Sequence, residues 1–192
     1  RLHRVERETS AASGRCRHSA LRHGQSTYNL QKLCNDDPRK PVKLTPLGEM
    51  QAVNAAEALR GERLVKIYSS PLPRAVQTAE VVNASLQLPF ETHPALADIR
   101  SGFDGRPVVD YLAAISHDPL HAKVNGGESI LEQFKRVSGF LDDLYSGGAT
   151  NLLLVAHEET MRVFKAWAEE LNAEEVIGLA FANCQPYVFE KQ

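Results

Sequence analysis

Residues 152–156 (LLLVA) restrict the fold of this chain more than any other stretch. A strand with one face in water alternates apolar and polar side chains, so an unbroken apolar run indicates a strand that is buried on both faces. Such a strand lies inside a mostly parallel sheet that helices cover on both sides. The stretch therefore predicts an α/β fold with three layers, in which a central sheet lies between two layers of helices.

The remaining sequence contains the other elements that this fold requires. Short apolar runs at 64–68 (LVKIY) and 187–190 (YVFE) predict further strands. Residues 15–21 stand where a first strand is expected, although they are polar and poor in β-branched side chains. Apolar residues at helical spacing predict helices over 44–61, 73–84, 109–115, 130–144 and 161–171. Loops and short helices between 88 and 124 would form a small cap.

The length of the chain, 192 residues, suits one domain. We place this domain at 18–192, after a tail at 1–17 that we expect to be disordered or left over from cloning. A formal net charge of −2 gives no electrostatic reason to expect a nucleic acid or a membrane as a partner. The cysteines Cys16, Cys34 and Cys184 stand far apart and match no zinc or redox spacing, so we expect reduced thiols and a cytoplasmic location.

Reactive side chains follow three of the expected strands at the point where each strand ends: Arg22 and His23 after the first, Arg74 after the second and His157 after the apolar run. Ligands of α/β sheets bind beyond the carboxyl ends of the strands, so these side chains should meet at one edge. Guanidinium groups can bind a dianionic phosphate in bidentate fashion. A neutral imidazole can attack phosphorus, and a carboxylic acid can then protonate the leaving alkoxide.

Each of these residues has a simpler explanation when it is taken alone. A single Arg or His is usually a surface or packing residue, and the triplet at 22–24 (RHG) also suits a polar turn. A zinc site is not indicated, because no HxH, HxxxH or HExxH spacing occurs. The combination of residues, rather than any single one, favours a phosphate site without a metal.

Five stretches together resemble the histidine phosphatase superfamily. Residues 22–29 (RHGQSTYN) are similar to its RHGxTxxN signature, and residues 44–52 (LTPLGEMQA) to its LTxxGxxQA helix start. Residues 69–79 (SSPLPRAVQTA) are similar to its SSxxxRAxQTA segment, and 126–129 (GGES) and 152–157 complete the set. The resemblance covers nearly the whole chain and points to the phosphoglycerate mutase-like branch, in particular its broad-specificity phosphatases. It implies the three-layer fold of that branch.

The resemblance also implies a role for each reactive residue. His23 would be the nucleophile that becomes phosphohistidine. The phosphoryl group would be bound by the residues whose positions match the pocket of the family: Arg22, Gly24, Asn29, Arg74 and His157. The charged members of this set would stabilise the transition state, and Gly24 would let the backbone come close to the phosphate. No cofactor or metal is expected, since the arginines supply the positive charge.

Two carboxyl groups compete for the role of general acid. Asp98 lies where many members of the family carry Glu, whereas Glu158 directly follows His157, as the acid does in the distant branch of acid phosphatases and phytases. A carboxylate so close to a bound dianion would repel it unless protonated, so we favour Asp98 over Glu158. Glu158 and Glu159 also replace the small residues that are common after this histidine, which would add negative charge at the pocket mouth and narrow the choice of substrate.

Among the activities of the family, we expect hydrolysis of a small phosphorylated metabolite through phosphohistidine. The segment between Arg74 and His157 is shorter than in glycolytic mutases, which favours a modest cap and access of water to the intermediate. A phosphoglycerate mutase-type phosphoryl transferase and an inactive phospho-ligand binder with the same fold are the alternatives. The sequence identifies neither the natural substrate nor the oligomeric state.

Overall fold

In residues 15–192, the part of the chain that the computed structural model describes, five strands form one sheet. They are β1 (Cys16–Arg22), β2 (Lys66–Ser69), β3 (Phe90–Thr92), β4 (Leu152–Ala156) and β5 (Tyr187–Lys191). Their order across the sheet is β3-β2-β4-β1-β5, and every neighbouring pair is parallel except β1 with β5. The prediction of an α/β fold with a mostly parallel sheet is confirmed.

Seven α-helices in the same described part of the chain surround this sheet. They are α1 (Thr27–Gln31), α2 (Pro46–Leu59), α3 (Pro73–Leu86), α4 (Val108–Ile115), α5 (Ile130–Ser146), α6 (Glu158–Glu169) and α7 (Ala173–Val176). A 3₁₀ turn spans Pro94–Leu96. Within residues 15–192, none of the helices combines the length and the apolar character that crossing a membrane requires.

The central strand β4 shows why helices are needed on both faces of the sheet. Leu152 and Leu154 belong to one hydrophobic cluster, to which α5 and α6 contribute residues such as Phe164. Leu153 and Val155 belong to a second cluster, which is formed with α2 and α3. All residues of β4 are buried, so each face of the apolar run has its own layer of helices.

The first strand forms although its sequence is polar. β1 lies between β4 and β5 and pairs with both, so its backbone groups are hydrogen-bonded on both sides. His18 is fully buried, with its Nε2 3.0 Å from Cys16 Sγ and its ring beside Phe189. Pairing on both edges thus outweighs a weak strand propensity. Residues 1–14 of the predicted tail lie outside the described residues, whereas Cys16 and Arg17 belong to β1.

Helix starts are predicted well where a capping residue marks them. The Thr45 hydroxyl accepts the Gly48 N–H at 3.1 Å, and Pro46 is the first residue of α2. The start of α6 was predicted too late, because its first turn is acidic and lacks apolar periodicity; the helix begins at Glu158 rather than at Met161. The elements α1, β3 and α7 were missed since each is too short to show a period.

The segment between β3 and α5 forms the predicted small cap. Ile99, Phe103, Tyr111 and Ile115 pack together in a hydrophobic cluster of their own. Ile99 and Tyr111 also line a cavity at the ends of the central strands. The cap therefore supplies one wall of that cavity.

The buried His18 predicts that this protein loses stability in mild acid. Burial lowers the pKa of His18 to about 4, whereas an unfolded histidine has a pKa of about 6.5. Between these values the unfolded chain binds a proton that the folded chain does not, so full stability is present above about pH 6.5. We expect the free energy of unfolding to fall by about 2 kcal/mol because of His18 alone as the pH falls from about 6.5 to about 5.

Urea unfolding of His18→Gln at about pH 7 and about pH 5 measures this contribution. The variant should lose less stability on acidification than the wild type. The other buried histidines contribute equally to both proteins, so the difference measures His18. His121→Gln, at a histidine whose side chain is 67% exposed, is the matched control and should behave as the wild type. Equal acid sensitivity of His18→Gln and the wild type would contradict the prediction.

Candidate active site

The carboxyl ends of β1, β2 and β4 meet at one edge of the sheet, and the predicted reactive residues lie there. A cavity of about 180 Å³ opens at this edge. Its lining includes six of the predicted site residues: Arg22, His23, Asn29, Arg74, Asp98 and Glu158. The other two, Gly24 and His157, are not part of this lining. This volume is below the range of pockets that enclose a drug-sized ligand, so the cavity suits a small group such as a phosphoryl.

His23 is held as a neutral imidazole with a defined tautomer. Its Nδ1 lies 2.7 Å from the Gly24 carbonyl oxygen, which can only accept, so Nδ1 carries the proton. Nε2 therefore carries no proton, and its lone pair accepts a hydrogen bond from Arg74 Nε at 3.1 Å. Burial, followed by the charges of Arg74 and Arg22, holds the pKa of His23 well below its usual value. The result is an uncharged nitrogen nucleophile that faces the cavity.

Arg74 connects the groups of the site. Besides His23, its buried guanidinium donates to Asn35 Oδ1 at 2.6 Å, to the Asn35 carbonyl oxygen at 3.1 Å and to Asp98 Oδ2 at 2.7 Å. Asn35 was not found from the sequence, because it lies in a loop without periodicity or motif. These partners fix the direction of the guanidinium fork before any ligand is bound.

His157 lies beside His23, with 5.2 Å between the two ring centroids. Its Nε2 is 2.7 Å from Ser70 Oγ, while its buried Nδ1 lies 3.5 Å from Asp98 Oδ2 and has no hydrogen-bond partner among residues 15–192. Burial, followed by the charge of Arg74, lowers the pKa of His157 well below its usual value. When the Ser70 hydroxyl donates to Nε2, the Nδ1 proton is available to a phosphoryl oxygen.

Asp98 has the properties of a carboxylic acid that works near neutral pH. Burial, followed by the negative charge of Glu159, raises the pKa of Asp98 to about 7, although Arg74 opposes the shift. The same carboxyl accepts the hydrogen bond from Arg74 and lies near His157. It can therefore carry a proton at neutral pH next to Arg74 and His157.

Glu158 occupies a different position, in which it holds Arg22. Glu158 Oε1 accepts from Arg22 Nη1 at 3.1 Å and from the Phe181 N–H at 2.9 Å. Arg22 Nη1 also donates to the Phe181 carbonyl oxygen at 2.7 Å, while the buried Nε of Arg22 has no hydrogen-bond partner in the described part of the chain. Glu158 thus holds Arg22 in place in this structure.

The structure changes the role that we expected of Gly24. Its N–H donates to Thr78 Oγ1 at 3.0 Å and is therefore not available to a phosphate. A Cβ at this position would lie 2.4 Å from the Gly48 carbonyl oxygen, so glycine is needed for the close contact with α2. Asn29 does line the cavity, and its Oδ1 accepts the Ser26 N–H at 2.9 Å in a capping box.

Other contacts of the site join residues that are far apart in sequence. Asn183 Nδ2 donates to the His23 carbonyl oxygen at 2.7 Å and so holds the loop at His23. Tyr28, Tyr111 and Glu159 also line the cavity. No local motif marks these residues apart from Glu159, whose acidic pair with Glu158 stands out directly after the second histidine.

The chain matches known proteins of one family. The family model described as the histidine phosphatase superfamily (branch 1) matches residues 20–192. A protein of Hydrogenobacter thermophilus named "Putative phosphoserine phosphatase 2" is 32% identical over 171 residues, which are 85% of this chain and 83% of that protein. A 2,3-bisphosphoglycerate-dependent phosphoglycerate mutase of Thermoplasma acidophilum is 25% identical, over 88% of this chain and 84% of the mutase. The crystal structure of the alpha-ribazole phosphatase of Shigella flexneri superposes with a TM-score of 0.81 at 25% identity, over 91% of this chain and 93% of that one.

Proposed function

Because the chain belongs to branch 1 of the histidine phosphatase superfamily, we propose that it hydrolyses phosphomonoesters through a covalent phosphohistidine at His23. The observation that carries this proposal is the state of His23 Nε2. Because the proton is on Nδ1, Nε2 carries the lone pair, which accepts a hydrogen bond from the Arg74 guanidinium. A nucleophile and a phosphate-binding cation are thus adjacent at the end of the central strands.

The first chemical step forms the phosphoenzyme. A phosphoryl oxygen of the substrate takes over the Arg74 hydrogen bond from Nε2, which frees the lone pair to attack phosphorus. The N–P bond forms while the bond between phosphorus and the ester oxygen breaks, and Asp98 transfers its proton to that oxygen. Arg22, Arg74 and His157 stabilise the charge on the transferred group.

The second step restores the enzyme. The Asp98 carboxylate, having lost its proton, takes one from a water molecule that attacks the phosphohistidine. The bond between His23 Nε2 and phosphorus breaks, inorganic phosphate leaves, and Asp98 is protonated again. Each residue thereby returns to its starting state, so no cofactor is consumed.

Hydrolysis is supported over mutase chemistry by the small size of the cap. The wall above the cavity consists of α4 and neighbouring loops, with Val108 and Tyr111 facing the opening. Water can reach a phosphohistidine beneath such a cap, whereas a mutase must retain its intermediate until it is transferred back. Phosphoglycerate isomerisation that depends on 2,3-bisphosphoglycerate and far exceeds hydrolysis would overturn this choice.

The proposal is tested by the turnover of p-nitrophenyl phosphate. His23→Ala should lower the rate by at least about a thousandfold, because the nucleophile is lost. His121→Ala, at an exposed histidine that does not line the cavity, is the matched control and should retain wild-type activity. Wild-type protein that binds inorganic phosphate but hydrolyses no ester would instead favour the inactive phospho-ligand binder.

The assignment of the acid is tested with two classes of ester. Asp98→Ala should lower kcat/KM by about a hundredfold or more for alkyl phosphates, whose leaving groups need a proton, and much less for p-nitrophenyl phosphate. In the wild type, kcat/KM for alkyl phosphates should fall as the pH rises above about 7, since Asp98 must be protonated.

Glu158→Gln provides the comparison. It disturbs Arg22 and hence phosphate binding, so it should lower kcat/KM for both classes of ester by similar factors. A loss confined to alkyl phosphates in Glu158→Gln, with equal losses for both classes in Asp98→Ala, would mean that Glu158 is the acid.

A further inference from the structure

The positive charges of the cavity are concentrated at its phosphoryl end. Among the described residues that line it, the only lysines or arginines are Arg22 and Arg74. Both are placed for the phosphoryl group, and both already contact a carboxylate, Glu158 or Asp98. A second anionic group on a substrate would therefore find no further cation in this lining.

The lining of the same cavity also carries a negative charge that the proposed mechanism does not use. Glu159 lies in the first turn of α6, lines the cavity, and keeps a side chain that is 35% exposed. Its contact with Arg162 is long, 3.9 Å between Oε1 and Nη1, and Arg162 directs its Nε to the Leu179 carbonyl oxygen at 2.7 Å instead. The Glu159 carboxylate thus keeps most of its capacity to accept hydrogen bonds.

Groups on different walls of the cavity respond to this carboxylate. Burial is the main reason that the pKa values of Asp98, Tyr111 and Cys34 are raised, and the charge of Glu159 adds to the rise in each case. Asp98 and Tyr111 belong to the cap side, whereas Cys34 follows α1. The charge of Glu159 therefore reaches groups on more than one wall of the cavity, Arg74 among them.

We propose that Glu159 selects phosphomonoesters whose alcohol carries a positively charged amino group. This inference rests on the proposed hydrolase function and names the substrate class of that same site. An ammonium group close to the ester oxygen could pair with the Glu159 carboxylate in the cavity that also holds Arg22 and Arg74. The rings of Tyr28 and Tyr111, which also line the cavity, offer faces that attract a cation.

The same arrangement disfavours alcohols that carry a carboxylate. Such a substrate would bring a further negative charge beside Glu159 and the bound phosphate, with no lysine or arginine of the described lining left to compensate it.

A carboxylate in the first turn of a helix also has a purely structural explanation, because it favours the helix dipole. The two explanations differ in one measurable property, the charge preference among substrates.

Three esters of equal length measure that preference: O-phosphoethanolamine, 2-hydroxyethyl phosphate and phosphoglycolate, whose two-carbon chains end in an ammonium, a hydroxyl and a carboxylate. Release of inorganic phosphate gives kcat/KM for each. The wild type should prefer them in that order, with the ammonium ester exceeding the carboxylate ester by about tenfold or more. Glu159→Gln should reduce this ratio by about tenfold, because the amide keeps the shape and removes the charge.

Glu169→Gln is the matched control, since it removes one carboxylate from the other end of the same helix and should keep the wild-type ratio. Circular dichroism of both variants verifies that they fold. The comparison of the three esters in the wild type does not depend on either variant. The inference is overturned if the wild type does not prefer the ammonium ester, or if Glu159→Gln keeps the wild-type ratio. Turnover of p-nitrophenyl phosphate that depends on His23 would in that case leave the hydrolase function intact.

Discussion

The parallel pairing of β4 with β1 and β2 determines where the reactive groups of this protein lie. Arg22 of β1 pairs with Ala156 of β4, so the next residue on each strand is a histidine, His23 or His157. β2 runs alongside β4 in the same direction and ends next to Ser70, whose N–H donates to β4 and whose hydroxyl meets His157. A shift of one residue in either pairing would turn these side chains to the opposite face of the sheet.

The site is also a set of mutually compensating buried charges. Placing the Arg74 guanidinium inside the protein is costly, and the cost is offset by Asn35, Asp98 and the lone pair of His23. Asp98 in turn is buried so far that its pKa rises to about 7. Binding of a phosphate dianion would draw the guanidinium toward the ligand and favour the protonated carboxyl, so ligand binding and preparation of the acid are coupled.

The parts of the fold and site that can be predicted from sequence are those with a local signature. The apolar run of β4 and the cap at Thr45 are such features, and so are the Arg74 and His157 positions that follow the strands. Asn35 could not be predicted, because its role depends on a contact with Arg74, which lies far along the chain. The strand β1 was poorly indicated, since pairing with two neighbours, rather than side-chain propensity, makes it a strand.

Glu158 also shows that a motif alone does not reveal the contacts of a residue. Its place after the second histidine makes it a candidate acid, and only the fold shows that Phe181 and Arg22 contact its carboxylate. The reason for glycine at Gly24 likewise lies in a distant contact, with Gly48, and not in the motif to which Gly24 belongs. Motifs thus identify which residues matter, while long-range packing decides what each of them does.

The covalent phosphohistidine is tested most directly by the stereochemical course at phosphorus. A phosphorothioate monoester made chiral with oxygen isotopes is hydrolysed in water that carries the third isotope, and the configuration of the thiophosphate is determined. Each in-line displacement inverts phosphorus, so attack by His23 followed by attack of water predicts overall retention. Overall inversion would show that water attacks the ester directly, and it would contradict a covalent intermediate.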